Sequence, residues 1–224
     1  DAIITSWWAF GHWFVTISER KVTFDGADQG NDKIHWVGKS LLENDENQTI
    51  GILRMLNCGQ GEGAKTLINY FNNDTPKAID IINKIIVEDK EKAIEVLKKE
   101  GLTEQQIINI TSYTHCEDLI PQYYITSEDM IGKAGVWAHF GAWDFKKAKM
   151  YNYVKDKSYS NGTNYLKTNF NMSDEEADKT YNEVQSTKAD SWISPWPSYM
   201  GGPYSTKKEG QILTCSNGIQ VDLS

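Results

Sequence analysis

The stretch Ser6-Trp7-Trp8-Ala9-Phe10-Gly11-His12-Trp13-Phe14 places five large aromatic side chains in nine positions. From Ala2 to Ser18 no residue carries a formal charge with His neutral, in a chain whose overall charged fraction is 24%. Such a block can serve as core, as an aromatic platform for a ligand, or as a belt at a membrane surface. The adjacent pair Trp7-Trp8 narrows the choice. Neighbouring side chains point to opposite faces of a strand and lie roughly 100° apart on a helix, so two indoles meet one ligand only where the backbone turns. Gly11 supplies a place for that turn. Each indole also brings an N–H donor that needs a partner when buried, a demand that Phe would not make.

A second group is read at helical spacing. Within Tyr124–Phe140, the residues Met130, Lys133 and Trp137 follow one another at intervals of three and four, which sets them on one helix face. Lys133 among small and apolar neighbours also fits a side chain that reaches out to solvent.

Other constellations yield bland readings. Gly59-Gln60-Gly61-Glu62-Gly63-Ala64-Lys65-Thr66 looks like a phosphate loop, but that motif needs Gly immediately before Lys, and Glu62 would set negative charge beside the phosphates. A turn feeding a helix is expected there instead. The consecutive residues His115-Cys116-Glu117-Asp118 cannot converge on one ion, so a polar turn is expected. His12 is assigned a structural hydrogen-bonding role, and no nucleophilic triad is inferred. Asn47, Asn73, Asn109, Asn161 and Asn171 begin Asn-X-Ser/Thr triplets, which makes glycosylation chemically feasible and nothing more.

Composition sets the bounds. The chain has 224 residues, net charge −8 and pI near 5.1, which argues against nucleic acid as a partner, since phosphate binding needs clustered basic surface. No stretch reaches the roughly 18–20 apolar residues of a membrane span, and the opening block lacks the basic start of a signal peptide. Cys58, Cys116 and Cys215 allow one disulfide and no framework.

The elements that would position these residues are mainly helical. Short strands are expected at Ala2–Thr5, Val22–Phe24 and Tyr123–Ile125. Helical periodicity begins at Asp32 and runs through Ile34, Val37 and Leu41, then Ile50, Leu53 and Leu56. Isoleucine-rich stripes at Ala78–Ile86 and Ala93–Leu97 follow. Thr103 with Gln106, and Ser173 with Glu176, read as capping boxes. A long helix is expected from about Ser127 to Tyr153, a polar stretch through Thr168, and a Pro-rich loop from Trp192 to Tyr204. Residues 211–215 and 219–223 flank Ser216-Asn217-Gly218 as a hairpin. The fold class is α+β: a mainly helical domain with a few short strands and a C-terminal hairpin. Residues 1–224 form a single globular domain, with 205–224 as a small C-terminal β element.

Two segments carry a family resemblance. Ile3-Ile4-Thr5-Ser6-Trp7-Trp8-Ala9-Phe10-Gly11-His12-Trp13, followed by Val22-Thr23-Phe24-Asp25-Gly26-Ala27, resembles the start of the C-terminal extracytoplasmic domain of the archaeal oligosaccharyltransferase catalytic subunit. That family carries Trp-Trp-Asp-Tyr-Gly and, about a dozen residues later, a short strand with Asp-Gly-Gly or a near variant. Trp7, Trp8 and Gly11 match, Phe10 stands for Tyr, and Asp25-Gly26 follows at the family's distance; Ala9 departs from the pattern. Met130, Lys133 and Trp137 resemble the family's second pocket helix in a mixed form.

The resemblance implies a domain that recognises Asn-X-Ser/Thr in an acceptor polypeptide. The full-length membrane enzyme would transfer a lipid-linked oligosaccharide to the Asn, aided by a Mn or Mg ion bound outside this domain. The chain then reads as a fragment beginning after the last transmembrane helix, inert alone, on the extracytoplasmic membrane face, with the early Trp residues near the membrane interface. In the family the Trp-Trp-Asp group grips the acceptor hydroxyl, and the Met contacts the Thr methyl. With Ala9 in place of Asp the pocket keeps its donors but loses a charged acceptor, a loss of about 1.5–3 kcal/mol. An engineered substitution and a divergent paralogue with relaxed or lost sequon recognition both account for Ala9. The rival readings are a carbohydrate-binding module that uses its eight tryptophans as stacking platforms, and a structural surface domain with an aromatic core.

Overall fold

A computed structural model describes residues 2–27 and 31–194, with Asn31 and Asp32 by backbone alone, and the segments 206–209, 212–215 and 220–222 by their backbone. The chain opens with β1 (Ile3–Thr5), a 3-10 turn at Trp8–Phe10, α1 (Gly11–Ser18) and β2 (Lys21–Val22). Six helices follow: α2 (Asn31–Leu42), α3 (Glu46–Gly59), α4 (Glu62–Tyr70), α5 (Thr75–Ile85), α6 (Lys90–Lys99) and α7 (Glu104–Thr114). After β3 (Gln122–Tyr124) come α8 (Asp129–Gly132), α9 (Ala134–Gly141), α10 (Phe145–Val154), α11 (Tyr159–Phe170), α12 (Asp174–Ser186) and α13 (Ala189–Ile193). Three more strands, β4 (Thr206–Glu209), β5 (Ile212–Cys215) and β6 (Gln220–Asp222), pair antiparallel in that order. The mainly helical α+β class and the terminal strand pair are as expected; the hairpin's turn and the Pro-rich loop beyond Ser194 lie outside the described residues.

The first three strands form one parallel sheet of order β2-β1-β3. Ile3 and Ile4 pair with Lys21 and Val22 on one side; Ile3, Ile4 and Thr5 pair with Gln122, Tyr123 and Tyr124 on the other. Parallel strands cannot be joined by a tight turn, so the connections run through helices. The buried Thr5 hydroxyl binds Thr23 Oγ1 and accepts from Gln122 Nε2, linking the segments of all three strands.

Most helix boundaries follow local chemistry. Asp45, Asp74, Asp89 and Asp144 accept backbone N–H bonds at helix starts, and both expected capping boxes are present at Thr103/Gln106 and Ser173/Glu176. The isoleucine stripe of α5 is buried as expected, but α3 turns Gly51, Ile52, Met55 and Leu56 inward and leaves Ile50 exposed. The principal core runs from Trp7 to Met130; a second cluster gathers Met150, Tyr151, Val154, Leu166, Ala177, Val184, Trp192 and Ile193.

Two expected element assignments differ in the structure. The long helix from Ser127 to Tyr153 is three helices, because Lys133 leaves helical geometry after Gly132 and the Asp144 side chain caps a new start at Lys146 and Lys147. The polar stretch through Thr168 is largely the helix α11, which buries only Gly162, Thr163 and Leu166 and so shows little apolar periodicity. Gly162 lies under the Tyr181 ring, where an added Cβ would come within 2.7 Å.

The sequence around Gly59–Thr66 is a turn into α4, with Gln60 and Gly61 at positive φ. His115-Cys116 is not a solvent-facing polar turn: Cys116 is bonded to Cys58, and His115 is buried against Arg54. The Arg54 guanidinium also donates to the carbonyls of Ile86, Glu88 and Thr114, the ends of two helices where carbonyls lack helical partners.

Candidate functional site

The parallel sheet determines where the two motif segments meet. All three strands point the same way, so the residues that leave their C-terminal ends emerge along one edge, the usual place for ligands in open parallel sheets. Trp7-Trp8 follows β1, Phe24-Asp25 follows β2, and Met130 follows β3. The 3-10 turn folds the paired indoles onto each other, with centroids 4.5 Å apart and planes inclined by 28°. Phe24 meets both edge-on, at 5.7 Å from Trp7 and 6.3 Å from Trp8.

Gly11 serves close approach rather than the turn. It is helical at φ −53°, and a Cβ there would stand 2.4 Å from Asp25 Cβ. His12 Nδ1 lies 3.4 Å from Asp25 Oδ2, so the structural role expected for His12 is to join the aromatic block to the Asp25-Gly26 turn.

Met130, Lys133 and Trp137 are adjacent although no single helix carries them. The break at Gly132-Lys133 separates α8 from α9, and the Trp137 indole N–H spans it to donate to the Met130 carbonyl at 2.9 Å. Lys133 sits over the Phe10 ring at 5.3 Å and pairs with Asp129. Phe140 packs against Trp8 with centroids 6.4 Å apart. These two contacts bring the segments together.

Exposure within the group is uneven. Trp7 is 1% exposed and Met130 4%, so they form the floor, while Trp8, Ala9, Lys133 and Trp137 keep accessible surface. The indole N–H of Trp137 is engaged, and that of Trp192 donates to Glu183. Among the described residues, no acceptor takes the indole N–H of Trp7 or Trp8. Phe10, Phe24 and Phe140 complete the site; Phe140 lies three residues beyond Trp137, a spacing that places it on the same face.

The second segment is held by backbone contact between α9 and α2. A Cβ on Gly141 would stand 2.4 Å from the Gly38 carbonyl carbon, and one on Gly38 would stand 2.5 Å from the Trp137 carbonyl oxygen. Gly141→Ala is therefore expected to destabilise the chain by about 2 kcal/mol and to shift α9 away from Trp8. Gly132→Ala meets nothing within 4 Å and is expected to leave stability unchanged or raise it by up to about 1 kcal/mol. Urea unfolding followed by tryptophan fluorescence checks both; equal midpoints for the two variants would refute the close-contact account.

Among the described residues no three His, Cys, Asp or Glu side chains converge, so these residues do not make a place for the divalent ion the resemblance implies. No helix among them is long and apolar enough to cross a membrane. Of the described tryptophans only Trp13 is broadly exposed, which gives little support to a series of sugar-stacking platforms.

This helical domain, whose parallel-sheet edge joins a stacked Trp pair to a Met-Lys-Trp segment, is similar in sequence to part of two archaeal glycotransferases. Over 149 residues, 65% of the chain, it is 38% identical to the dolichyl-phosphooligosaccharide-protein glycotransferase of Methanocaldococcus jannaschii. Over 150 residues it is 33% identical to the protein of the same name from Methanococcus voltae. The chain spans about 16% of the length of each of these curated relatives. No family model matches the chain, and no solved structure matches it.

Proposed function

We propose that this chain is the acceptor-recognising domain of a larger archaeal oligosaccharyltransferase, which transfers a lipid-linked oligosaccharide to Asn in Asn-X-Ser/Thr. The observation that carries the reading is the meeting of two distant segments around two indole donors without protein acceptors. An acceptor hydroxyl approaching Trp8 would accept an N–H bond there, with Trp7 and Met130 as an apolar floor and Lys133 and Trp137 at the side. An acceptor that lacks the oxygen forms no N–H bond at Trp8 and so gains less on binding than one that carries it.

The domain recognises and does not catalyse. The Mn or Mg ion and the groups that act on the glycan carrier belong to the rest of the enzyme, so no chemical step is assigned to these residues. Restoring a carboxylate by Ala9→Asp in the full-length enzyme adds the missing charged acceptor. It is expected to raise affinity for an Asn-X-Thr peptide by about 1.5–3 kcal/mol, roughly 10- to 100-fold, and to leave an Asn-X-Ala peptide unaffected. Peptide binding by calorimetry, with glycan transfer measured in parallel, tests this; an unchanged Asn-X-Thr affinity sinks the pocket assignment.

The domain lies against the membrane on its extracytoplasmic face. The helix α1 carries no charged residue and exposes Trp13 by 62% and Ile17 by 68%, followed by Arg20 and Lys21. An apolar helix end with Trp and flanking basic residues suits the lipid interface. The chain is expected to bind zwitterionic vesicles with a blue shift of tryptophan emission, and Trp13→Ser is expected to weaken partitioning by roughly 1.5–3 kcal/mol. Equal partitioning of the two proteins would remove α1 from the membrane contact.

A further inference from the structure

Beyond the acceptor pocket, a cleft of about 450 Å³ opens between α2, α4, α5 and the corner joining α9 to α10. Its walls are mostly apolar: Trp36, Ile68, Ile79, Phe140, Trp143 and Phe145 contribute, and among the described residues no Lys, Arg, Asp or Glu lines it. That volume lies within the range of small-molecule sites, and a wall without ionic groups excludes a charged ligand. One polar ring is set into the wall.

His35 is 7% exposed, and its ring is held edge-on to Trp36 and Phe145, each at 4.9 Å. Its Nδ1 lies 3.0 Å from the Phe140 carbonyl oxygen. A carbonyl can only accept, so Nδ1 carries the proton and Nε2 presents a lone pair. Among the described residues that buried Nε2 has no hydrogen-bond partner. An unpaired acceptor on a ring that lines an aromatic cleft complements a ligand with one donor and a flat apolar body, which would reach the buried Nε2 by parting the side chains around it.

We propose that this cleft binds a planar aromatic group bearing a single O–H or N–H donor, a phenol or an indole, with His35 Nε2 as the acceptor and the surrounding aromatic rings as the walls. The donor could come from a free small molecule or from a Tyr or Trp side chain of a polypeptide; the recognition chemistry is the same. Phe140 connects the cleft to the acceptor pocket, because one of its neighbours is Trp8 and its carbonyl orients His35. The site does not depend on the transferase reading. Burial lowers the His35 pKa to about 4, which keeps Nε2 an acceptor near neutrality.

The test is a titration of the isotope-labelled 224-residue chain with p-cresol, 3-methylindole and toluene, followed by amide and imidazole nitrogen resonances. p-Cresol and 3-methylindole are expected to shift the amides of Ile34–Trp36, Ile68 and Phe140 and to bind about tenfold more tightly than toluene, which lacks the donor. The His35 Nε2 resonance should move with p-cresol and stay in place with toluene. In His35→Phe the preference for p-cresol should vanish. If that variant does not fold, the Nε2 resonance of the unmodified chain decides the matter. A capped Gly-Tyr-Gly peptide that shifts the same amides identifies a polypeptide as the source of the donor; a response to free p-cresol alone identifies a small molecule. Equal affinity for toluene and p-cresol, or no response of the cleft amides to either, overturns the proposal. Loss of the Asn-X-Thr response with this cleft intact would count against the acceptor pocket alone.

Discussion

Removing the Cys58–Cys116 bond is expected to destabilise the chain by about 4 kcal/mol. The cysteines are 58 residues apart, and the bond closes a loop that contains the whole of α4, α5, α6 and α7. Opening a loop of that length returns about 4 kcal/mol of chain entropy to the unfolded state. Arg54 and His115 next to the bond depend on the same juxtaposition of α3 with the end of α7. For a domain of this size the melting temperature should fall by roughly 10 °C. Thermal melts of the oxidised chain and of a Cys58→Ser/Cys116→Ser variant give the comparison; coincident melts would mean that these sulfurs are not bridged in the folded protein.

Acidification from pH 7 to 4 should remove about 3 kcal/mol of stability through His35 alone. Burial is the main cause of its depressed pKa; the Phe140 carbonyl partly opposes the shift, and the nearby charge of Lys39 adds to it. Above pH 6.5 the ring is neutral in both states, and no penalty arises. As pH falls from 6.5 toward about 4, the unfolded chain takes up a proton that the folded chain refuses, so stability is lost across that window. His115 acts with the same sign, its pKa lowered first by burial and then by the Arg54 charge. His35→Asn places a side-chain amide donor opposite the Phe140 carbonyl and removes the titration, so its unfolding midpoint should vary less between pH 7 and 5 than that of the unmodified chain. Identical pH profiles in urea would show that His35 does not carry the acid sensitivity.

Local chemistry made much of the helical scaffold legible. Thr103 with Gln106 and Ser173 with Glu176 announce helix starts because each box satisfies its own backbone donors without help from the fold. The stripe Ile79, Ile81, Ile82, Ile85 and Ile86 announces a buried face. The helix α11 was not legible, because Gly162 and Thr163 enter the interior through packing against Tyr181 and neighbouring residues rather than through hydrophobicity. The break at Lys133 was also hidden. The apolar period continues across it, and its stabilising contact, Trp137 to the Met130 carbonyl, exists only once α8 and α9 have separated.

The candidate residues themselves were legible from type and order: paired indoles on an uncharged stretch, and a Met, a Lys and a Trp at helical intervals. Their exposures were not, and Trp7 and Met130 prove to be floor rather than wall. Residue order by itself determined the helical majority, the caps, the cysteine arithmetic and the identity of the two segments, since each rests on interactions within a few neighbouring positions. Tertiary structure alone decided that β1 and β3 lie side by side, that Cys58 finds Cys116, that two glycines let α2 touch α9, and that His35 keeps an unpaired nitrogen. Those outcomes depend on which distant backbones approach within a few ångströms, a matter of global packing that no local pattern encodes.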